Sequence, residues 1–175
     1  PPPPSGAYDA APYLGQIRNN YVYGDIWERP NLTKRDRSMI TVAVNQALYA
    51  TNELRLHMGR ALDNGITQSE LSEIIAHVLW YSGFPTGVNA ARVASDVFAE
   101  RNLPAIPPEA SSRQAPQQPE LEFPDAYPQT PYLRDLLNEV LYAETWKRSE
   151  LSPRDRSMIT VAVGTALYAG SEVRY

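Results

Sequence analysis

Apolar residues recur along residues 12–103 at spacings of three and four, the period of a helix that buries one face. The clearest such face is formed by Leu71, Ile74, Ile75, Val78 and Leu79. It follows Thr67 and Glu70, which have the spacing of a capping box at a helix start. A second capping box, at Thr33 and Asp36, precedes a β-branched run whose length favours a buried helix over a strand. Every strong pattern is helical, so the sequence predicts an all-α fold.

Turn residues divide this region into separate helices. Thr51 or Asn52 is predicted to cap the helix that follows Tyr49 and Ala50, because small polar side chains favour this position. Gly65 is predicted to end that helix in the left-handed conformation. The glycine and proline of residues 83–85 separate the last two helices, the second of which is predicted to end near residue 103.

Proline-rich stretches and a repeat set the predicted domain organisation. Residues 1–11 are predicted to form a Pro-rich arm, and residues 12–103 a first domain. Residues 104–131 hold 8 of the 16 prolines and are predicted to be an extended linker. Residues 132–175 then repeat the start of the first domain at an offset of 119, almost letter for letter where residues 151–163 answer residues 32–44. A repeat of this length indicates an internal duplication.

The second copy is shorter than the first. It ends one residue before the counterpart of His57, so it is predicted to be the N-terminal part of a truncated domain. A half-copy cannot bury its own apolar helix. We therefore expect the sequence to be a fragment of a longer protein, open at the C-terminus and also at the N-terminus. The alternative is that the helix at residues 152–169 docks on a partner subunit.

Composition excludes several classes of function. The 175 residues carry a formal net charge of −4 and show no basic stripe, which does not suggest nucleic-acid binding. The sequence contains no run of 18 apolar residues, so no transmembrane helix is predicted. The chain has no cysteine, so disulfides, thiol redox chemistry and a cysteine nucleophile are all excluded.

The two histidines of the chain each follow a glutamate by four residues, which places each pair on one helix face. In the first pair, the Glu53 carboxylate is expected to raise the pKa of His57, whose imidazolium could deliver a proton to carbon. A hydrogen-bonded pair that only stabilises the helix is the alternative. In the second pair, with Glu73, His77 either lines the same pocket or packs in the core beside Trp80.

Other residues suggest carboxylate recognition rather than metal binding. The Glu/His spacing is one residue longer than the Glu-x-x-His of di-iron sites, which disfavours a metal. Arg35, Arg37 and Arg55 are candidates for a substrate carboxylate, because a guanidinium binds it in a bidentate manner. A salt bridge at the surface or between subunits is an equal alternative for each arginine. Tyr81, with its neighbour Trp80, is predicted to line the core or the wall of a pocket.

Five motifs in register resemble the carboxymuconolactone decarboxylase family. They lie at residues 35–44, 53–57, 61–67, 73–77 and 81–85. The family includes alkylhydroperoxidase D-like proteins, which use Cys-x-x-Cys followed by His. Here Glu53 stands at the position of the second cysteine and His57 at that of the histidine, so peroxidase activity is disfavoured. The resemblance instead implies an alkylhydroperoxidase D-like helical fold and decarboxylation of γ-carboxymuconolactone without metal or organic cofactor.

The resemblance also gives roles to particular residues. His57 is expected to donate a proton and Glu53 to orient it, and the expected substrate contacts are Arg37, Arg55, His77 and Tyr81. The expected partners are a small carboxylate substrate and further copies of the chain, in a trimer or hexamer-like homo-oligomer. The expected compartment is the cytoplasm. An isomerase or cyclase acting on a carbonyl substrate, and a non-catalytic oligomeric binding protein, are the alternatives.

Overall fold

The computed structural model describes residues 6–107 and 128–169. Residues 1–5 of the predicted arm and residues 108–127 of the predicted linker lie outside the described residues. So do the counterparts of Glu53 and Arg55, which are Glu172 and Arg174. All regular structure in the described part of the chain is helical, which confirms the predicted all-α fold.

Residues 1–37 form one compact unit of short helical segments. Its described elements are α1 (Ala7–Ala10), α2 (Pro12–Ile17), a π-helical segment (Arg18–Tyr23), a 3-10 turn (Ile26–Glu28) and the first turn of α3 (Lys34–Ala47). Trp27 packs against Tyr23, with ring centroids 5.6 Å apart. The capping box is confirmed: the Thr33 hydroxyl accepts from the Asp36 amide, and the Asp36 carboxylate accepts from the Thr33 amide.

Residues 38–175 form the second unit. Its elements are the rest of α3, then α4 (Thr51–Asp63), α5 (Gln68–Ser82), α6 (Phe84–Glu100), α7 (Pro131–Leu136), a π-helical segment (Leu137–Tyr142), a 3-10 turn (Thr145–Lys147) and α8 (Pro153–Ala166). None of the helices described in either unit is long and apolar enough to cross a membrane.

Helix α5 is the centre of this second unit. It packs against α6 on one side and against α8 on the other, while α4 packs against α6. Ile159 and Val163 of α8 are fully buried in the same core as Ile74 and Val78 of α5. The apolar face of the second copy is therefore buried against the first copy within this chain. Burial of apolar side chains at this junction supplies much of the energy that holds α8 in place.

The repeat in the sequence has a counterpart in the local structure. The four elements from Pro131 to Ala166 have the same types and lengths as those from Pro12 to Ala47, each displaced by 119 residues. Tyr49 and its counterpart Tyr168 both have positive φ, of 60° and 58°, just after the long helix of each copy. The division into two domains and a linker stays a prediction.

Local end signals around α4 and α5 are confirmed except at the start of α4. Thr67 and Glu70 form a complete capping box at the start of α5, and Gly65 has φ 91° after α4. The predicted cap at Thr51 or Asn52 is wrong, because α4 begins at Thr51 and its N-cap residue is Ala50. The Thr51 hydroxyl instead accepts a hydrogen bond from the Asn89 side chain of α6.

Candidate functional site

Glu53 and His57 lie one turn apart on α4, as their spacing predicted. Glu53 is exposed and His57 is half-buried. No hydrogen bond joins these two described side chains, and the buried Nδ1 of His57 has no partner within the described part of the chain. Glu53 therefore acts on the imidazole through charge alone.

The pKa of His57 is lowered, and not raised as the sequence suggested. Burial is the largest cause, because it disfavours the charged imidazolium. The positive charge of Arg60, one turn further along α4, lowers the pKa as well, while Glu53 works in the opposite direction. The sequence interpretation considered only the carboxylate, so it had the sign wrong. The resting imidazole is neutral at pH 7.

The two arginines that the sequence offered as substrate contacts are engaged within the chain. Arg37 donates from Nη2 to the carbonyl oxygen of Arg29 at 2.8 Å. Arg55, which is exposed, pairs with the carboxylates of Asp96 and Glu100 on α6. For Arg55, the salt-bridge alternative therefore describes what the structure shows, and its role in substrate binding stays a prediction without structural support.

His77 is fully buried on α5 and contacts the second copy. Its Nε2 lies 2.9 Å from the hydroxyl of Thr160 on α8. That hydroxyl already donates its single hydrogen to the carbonyl oxygen of Arg156. It therefore accepts from His77, and the ring hydrogen sits on Nε2. Nδ1 keeps a bare lone pair with no hydrogen-bond partner in the described part of the chain.

Aromatic rings from both copies surround His77. The ring of Trp146 meets it edge-on at 5.1 Å between centroids, and that of Tyr81 is tilted at 5.3 Å. Trp146 also donates from its indole nitrogen to the Tyr81 hydroxyl at 3.1 Å. The rings of Tyr81 and Trp146 are therefore neighbours of His77, and the contact with Trp80 that the sequence had offered for a core histidine stays a prediction.

Burial and a nearby cation keep His77 neutral. Desolvation is the largest cause of a pKa lowered to about 3, and the positive charge of Arg156 adds to it. A hydrogen bond with the backbone of Arg156 partly opposes both effects. His77 is thus a neutral hydrogen-bonding group across the physiological range.

Glu73 joins two arginines of the second copy in a buried cluster. Its Oε1 accepts from Arg148 at 2.8 Å (Nε) and 2.7 Å (Nη2), and its Oε2 accepts from Nη2 of Arg156 at 3.3 Å. The same Nη2 donates to the carbonyl oxygen of Arg148 at 2.9 Å. Burial lowers the pKa of Arg156, which Glu73 counteracts. We name the set Glu73, Arg148 and Arg156 the buried ion cluster.

The second-copy residues of this site were not predicted from the sequence. They are Trp146, Arg148, Arg156 and Thr160. The repeat could have pointed to one of them, Arg156, because it is the counterpart of Arg37, which was a candidate for binding a substrate carboxylate. Among the described residues, no group of three or more His, Asp or Glu side chains is arranged to hold a metal ion.

Comparison with known proteins shows what the first copy is similar to. Residues 12–96 match the carboxymuconolactone decarboxylase family. The 4-carboxymuconolactone decarboxylase of Acinetobacter baylyi is 38% identical over 85 residues, which are 49% of this chain and 63% of that protein. Nitrosuccinic acid decarboxylase npaB of Metarhizium robertsii is 32% identical over 75 residues, 43% of this chain and 52% of that protein.

A third relative carries no functional name. It is an uncharacterized 15.0 kDa protein of Paracoccus denitrificans, 28% identical over 82 residues, 46% of this chain and 61% of that protein. The chain thus spans between about half and two thirds of the length of the curated relatives it matches. Residues 12–96, slightly less than half of the chain, are thus similar in sequence to the carboxymuconolactone decarboxylase family.

Proposed function

We propose that the protein is a decarboxylase of a small carboxylic acid whose carboxyl-bearing carbon is conjugated to an electron-accepting group. The family match over residues 12–96 carries this proposal, because that segment holds both Glu/His pairs. Two of its relatives are named as decarboxylases of 4-carboxymuconolactone and of nitrosuccinic acid. A lactone carbonyl and a nitro group can both accept the electron pair that departing CO2 leaves on carbon.

His57 is the proposed proton-transfer group. The bond between the carboxylate and its carbon breaks, CO2 leaves, and the bonding electron pair moves into the acceptor. A proton from the His57 imidazolium then completes the product at carbon. The resting imidazole is neutral, and an arriving carboxylate raises its pKa, because opposite charge favours the imidazolium. The transferred proton is therefore taken up from solvent together with the substrate.

Two features of α4 support this role. Nδ1 of His57 is buried but makes no hydrogen bond to the described residues, so no protein group competes for its proton. Glu53 and Arg60 bias the imidazole in opposite directions by charge. Glu53 thus makes it easier for His57 to acquire a proton. This role replaces the orienting role that the resemblance implied.

The remaining expectations belong to the same proposal. His77 and Tyr81 are proposed as substrate contacts, and the chain is proposed to form a trimer or hexamer-like homo-oligomer in the cytoplasm. Peroxide reduction by thiols is disfavoured because the chain has no cysteine. An isomerase or cyclase would give a product that keeps all of its carbon, so product analysis separates it from the decarboxylase.

The experiment offers 4-carboxymuconolactone and nitrosuccinate to the purified protein and follows CO2. His57→Gln is expected to lower kcat by about 100- to 10,000-fold, the usual worth of a general acid, with an unchanged circular dichroism spectrum. A folded parent that releases no CO2 from either compound would refute the decarboxylase.

A pair of charge variants tests the assignment of His57 itself. The pH profile of kcat/KM should fall as pH rises through the pKa of His57 in the free protein. Glu53→Gln is expected to move this falling limb of the pH profile to lower pH, because it removes the carboxylate that favours the imidazolium. Arg60→Met is expected to move the limb to higher pH. Limbs that stay in place in both variants would show that His57 is not the group that titrates.

A further inference from the structure

Arg156 is fully buried yet uses only part of its hydrogen-bonding capacity. Its Nη2 meets Glu73 and the Arg148 carbonyl, while Nε and Nη1 are buried with no hydrogen-bond partner in the described part of the chain. A guanidinium has five N–H donors and no way to lose its charge in water. Buried cationic donors without acceptors are costly, which calls for an acceptor beyond those that the described side chains provide.

The carboxylates that face this cluster divide unevenly between its two arginines. Glu73 gives Arg148 two contacts below 3 Å and gives Arg156 only one, at 3.3 Å. Glu150 lies 3.9 Å from Arg148, beyond hydrogen-bond distance, and its side chain is 23% exposed. Glu150 also acts on Arg156 by charge, but Nε and Nη1 of Arg156 make no hydrogen bond to the described residues, so Arg156 is the less fully hydrogen-bonded of the two cations.

Neighbouring groups make this position selective for an anion. His77 stays uncharged beside Arg156 and spends its ring hydrogen on Thr160, so it adds neither a competing charge nor a competing donor. Trp146 and Tyr81 cover the ring of His77 and exclude water from it. In such surroundings, a charge-assisted hydrogen bond from a guanidinium to a carboxylate is stronger than at the surface.

We propose that the buried ion cluster, with Arg156 as its principal donor, is a binding site for a small carboxylate, formed where α8 of the second copy packs on α5 of the first. Glu73 occupies part of the donor set and competes with the ligand for it. The choice of a carboxylate over other anions rests on the proposed decarboxylase function. The existence of the anion site does not depend on it.

The test is a calorimetric titration of the protein with succinate, which the protein is not required to turn over. Sodium chloride at equal ionic strength is the control. Succinate is expected to bind the unmodified chain, whereas chloride does not. Glu73→Gln removes the competing charge and is expected to tighten succinate binding about tenfold, the worth of one charge-assisted hydrogen bond. A purely structural cluster would give no succinate binding in either protein.

Two further variants complete the test. Glu73→Gln combined with Arg156→Met removes one negative and one positive charge, so the net charge of the cluster is unchanged, and is expected to abolish succinate binding. Arg101→Met is the matched control, since Arg101 is also an arginine paired with a carboxylate, that of Asp63, and it should leave succinate affinity unchanged. Succinate binding that survives in the double variant, or is lost in the control, would overturn the proposal.

A measurement on the unmodified chain covers the case in which a variant does not fold. In a heteronuclear NMR titration, the Nε–H signal of Arg156 should shift on addition of succinate, while that of Arg101, which pairs with Asp63, stays fixed. An unmoved Arg156 signal at saturating succinate would refute the site. Because succinate is not decarboxylated in this test, the outcome is independent of whether CO2 release is observed.

Discussion

Replacing His77 with glutamine is expected to remove most of the acid sensitivity of the fold between pH 7 and pH 5. The pKa of His77 is lowered from 6.5 to about 3 in the folded chain, chiefly by burial and then by Arg156. In this window, the unfolded chain binds the proton and the folded chain does not. The free energy of unfolding therefore rises with pH in this window. The contribution of the neutral His77 to stability is lost progressively as pH falls below about 6.5.

The size of the effect follows from the two pKa values. Each pKa unit corresponds to about 1.4 kcal/mol, and pH 5 lies 1.5 units below the unfolded value and well above the folded one. His77 alone should therefore cost about 2 kcal/mol between pH 7 and pH 5, a large share of the stability of a small protein. Glutamine can still donate to Thr160 but does not titrate in this range.

The assay is urea unfolding, followed by circular dichroism at pH 5, 6 and 7, on the parent and on His77→Gln. The parent should lose about 2 kcal/mol more than the variant over this range. His57→Gln is the comparison variant: the pKa of His57 is lowered too, but this ring is only half-buried, so the variant should reduce the acid loss by less than His77→Gln does. An equal loss in the parent and in His77→Gln would refute the account of a buried neutral imidazole.

Two further predictions concern stability. In a double-mutant cycle with methionine, Glu73→Met alone should cost about 3–5 kcal/mol, because it leaves Arg148 and Arg156 buried without this carboxylate. The double variant with Arg156→Met should cost less than the two single variants added, whereas the exposed pair Asp63 and Arg101 should show coupling below about 1 kcal/mol. Equal coupling in both cycles would contradict the effect of burial. Met58→Ala, at a fully buried position of α4, should cost about 2–5 kcal/mol in urea unfolding, and a cost below about 1 kcal/mol would show that the position is not in the core.

Local signals in the sequence predicted the helices well. The capping boxes that begin α3 and α5 depend on side chains only three residues apart, so the sequence alone specifies them. The start of α4 was misplaced because its chain enters through Tyr49 in the left-handed region, a position without the glycine that normally marks it. The two π-helical segments, at residues 18–23 and 137–142, were also not predicted, because their apolar spacing resembles that of an α-helix.

The electrostatics of the site were harder to predict for a physical reason. Spacing along a helix reveals the carboxylate next to each histidine, but it does not reveal how deeply the ring is buried. Burial dominates at both His57 and His77, and in each case a cation opposes protonation. The partners of Glu73 are 75 and 83 residues away along the chain, beyond the reach of any local pattern.

The repeat is the sequence feature that connects these distant residues. Arg37 was a candidate for carboxylate recognition, and its counterpart 119 residues later, Arg156, is the arginine buried beside Glu73 and His77. Both arginines donate from Nη2 to the carbonyl of the residue eight positions earlier, at 2.8 and 2.9 Å. The local geometry of the motif is thus the same in both copies, and Arg156 in addition contacts Glu73 of α5. A search that carries each candidate across the repeat, and then asks which copy meets a buried carboxylate, would identify Arg156 as the residue to test.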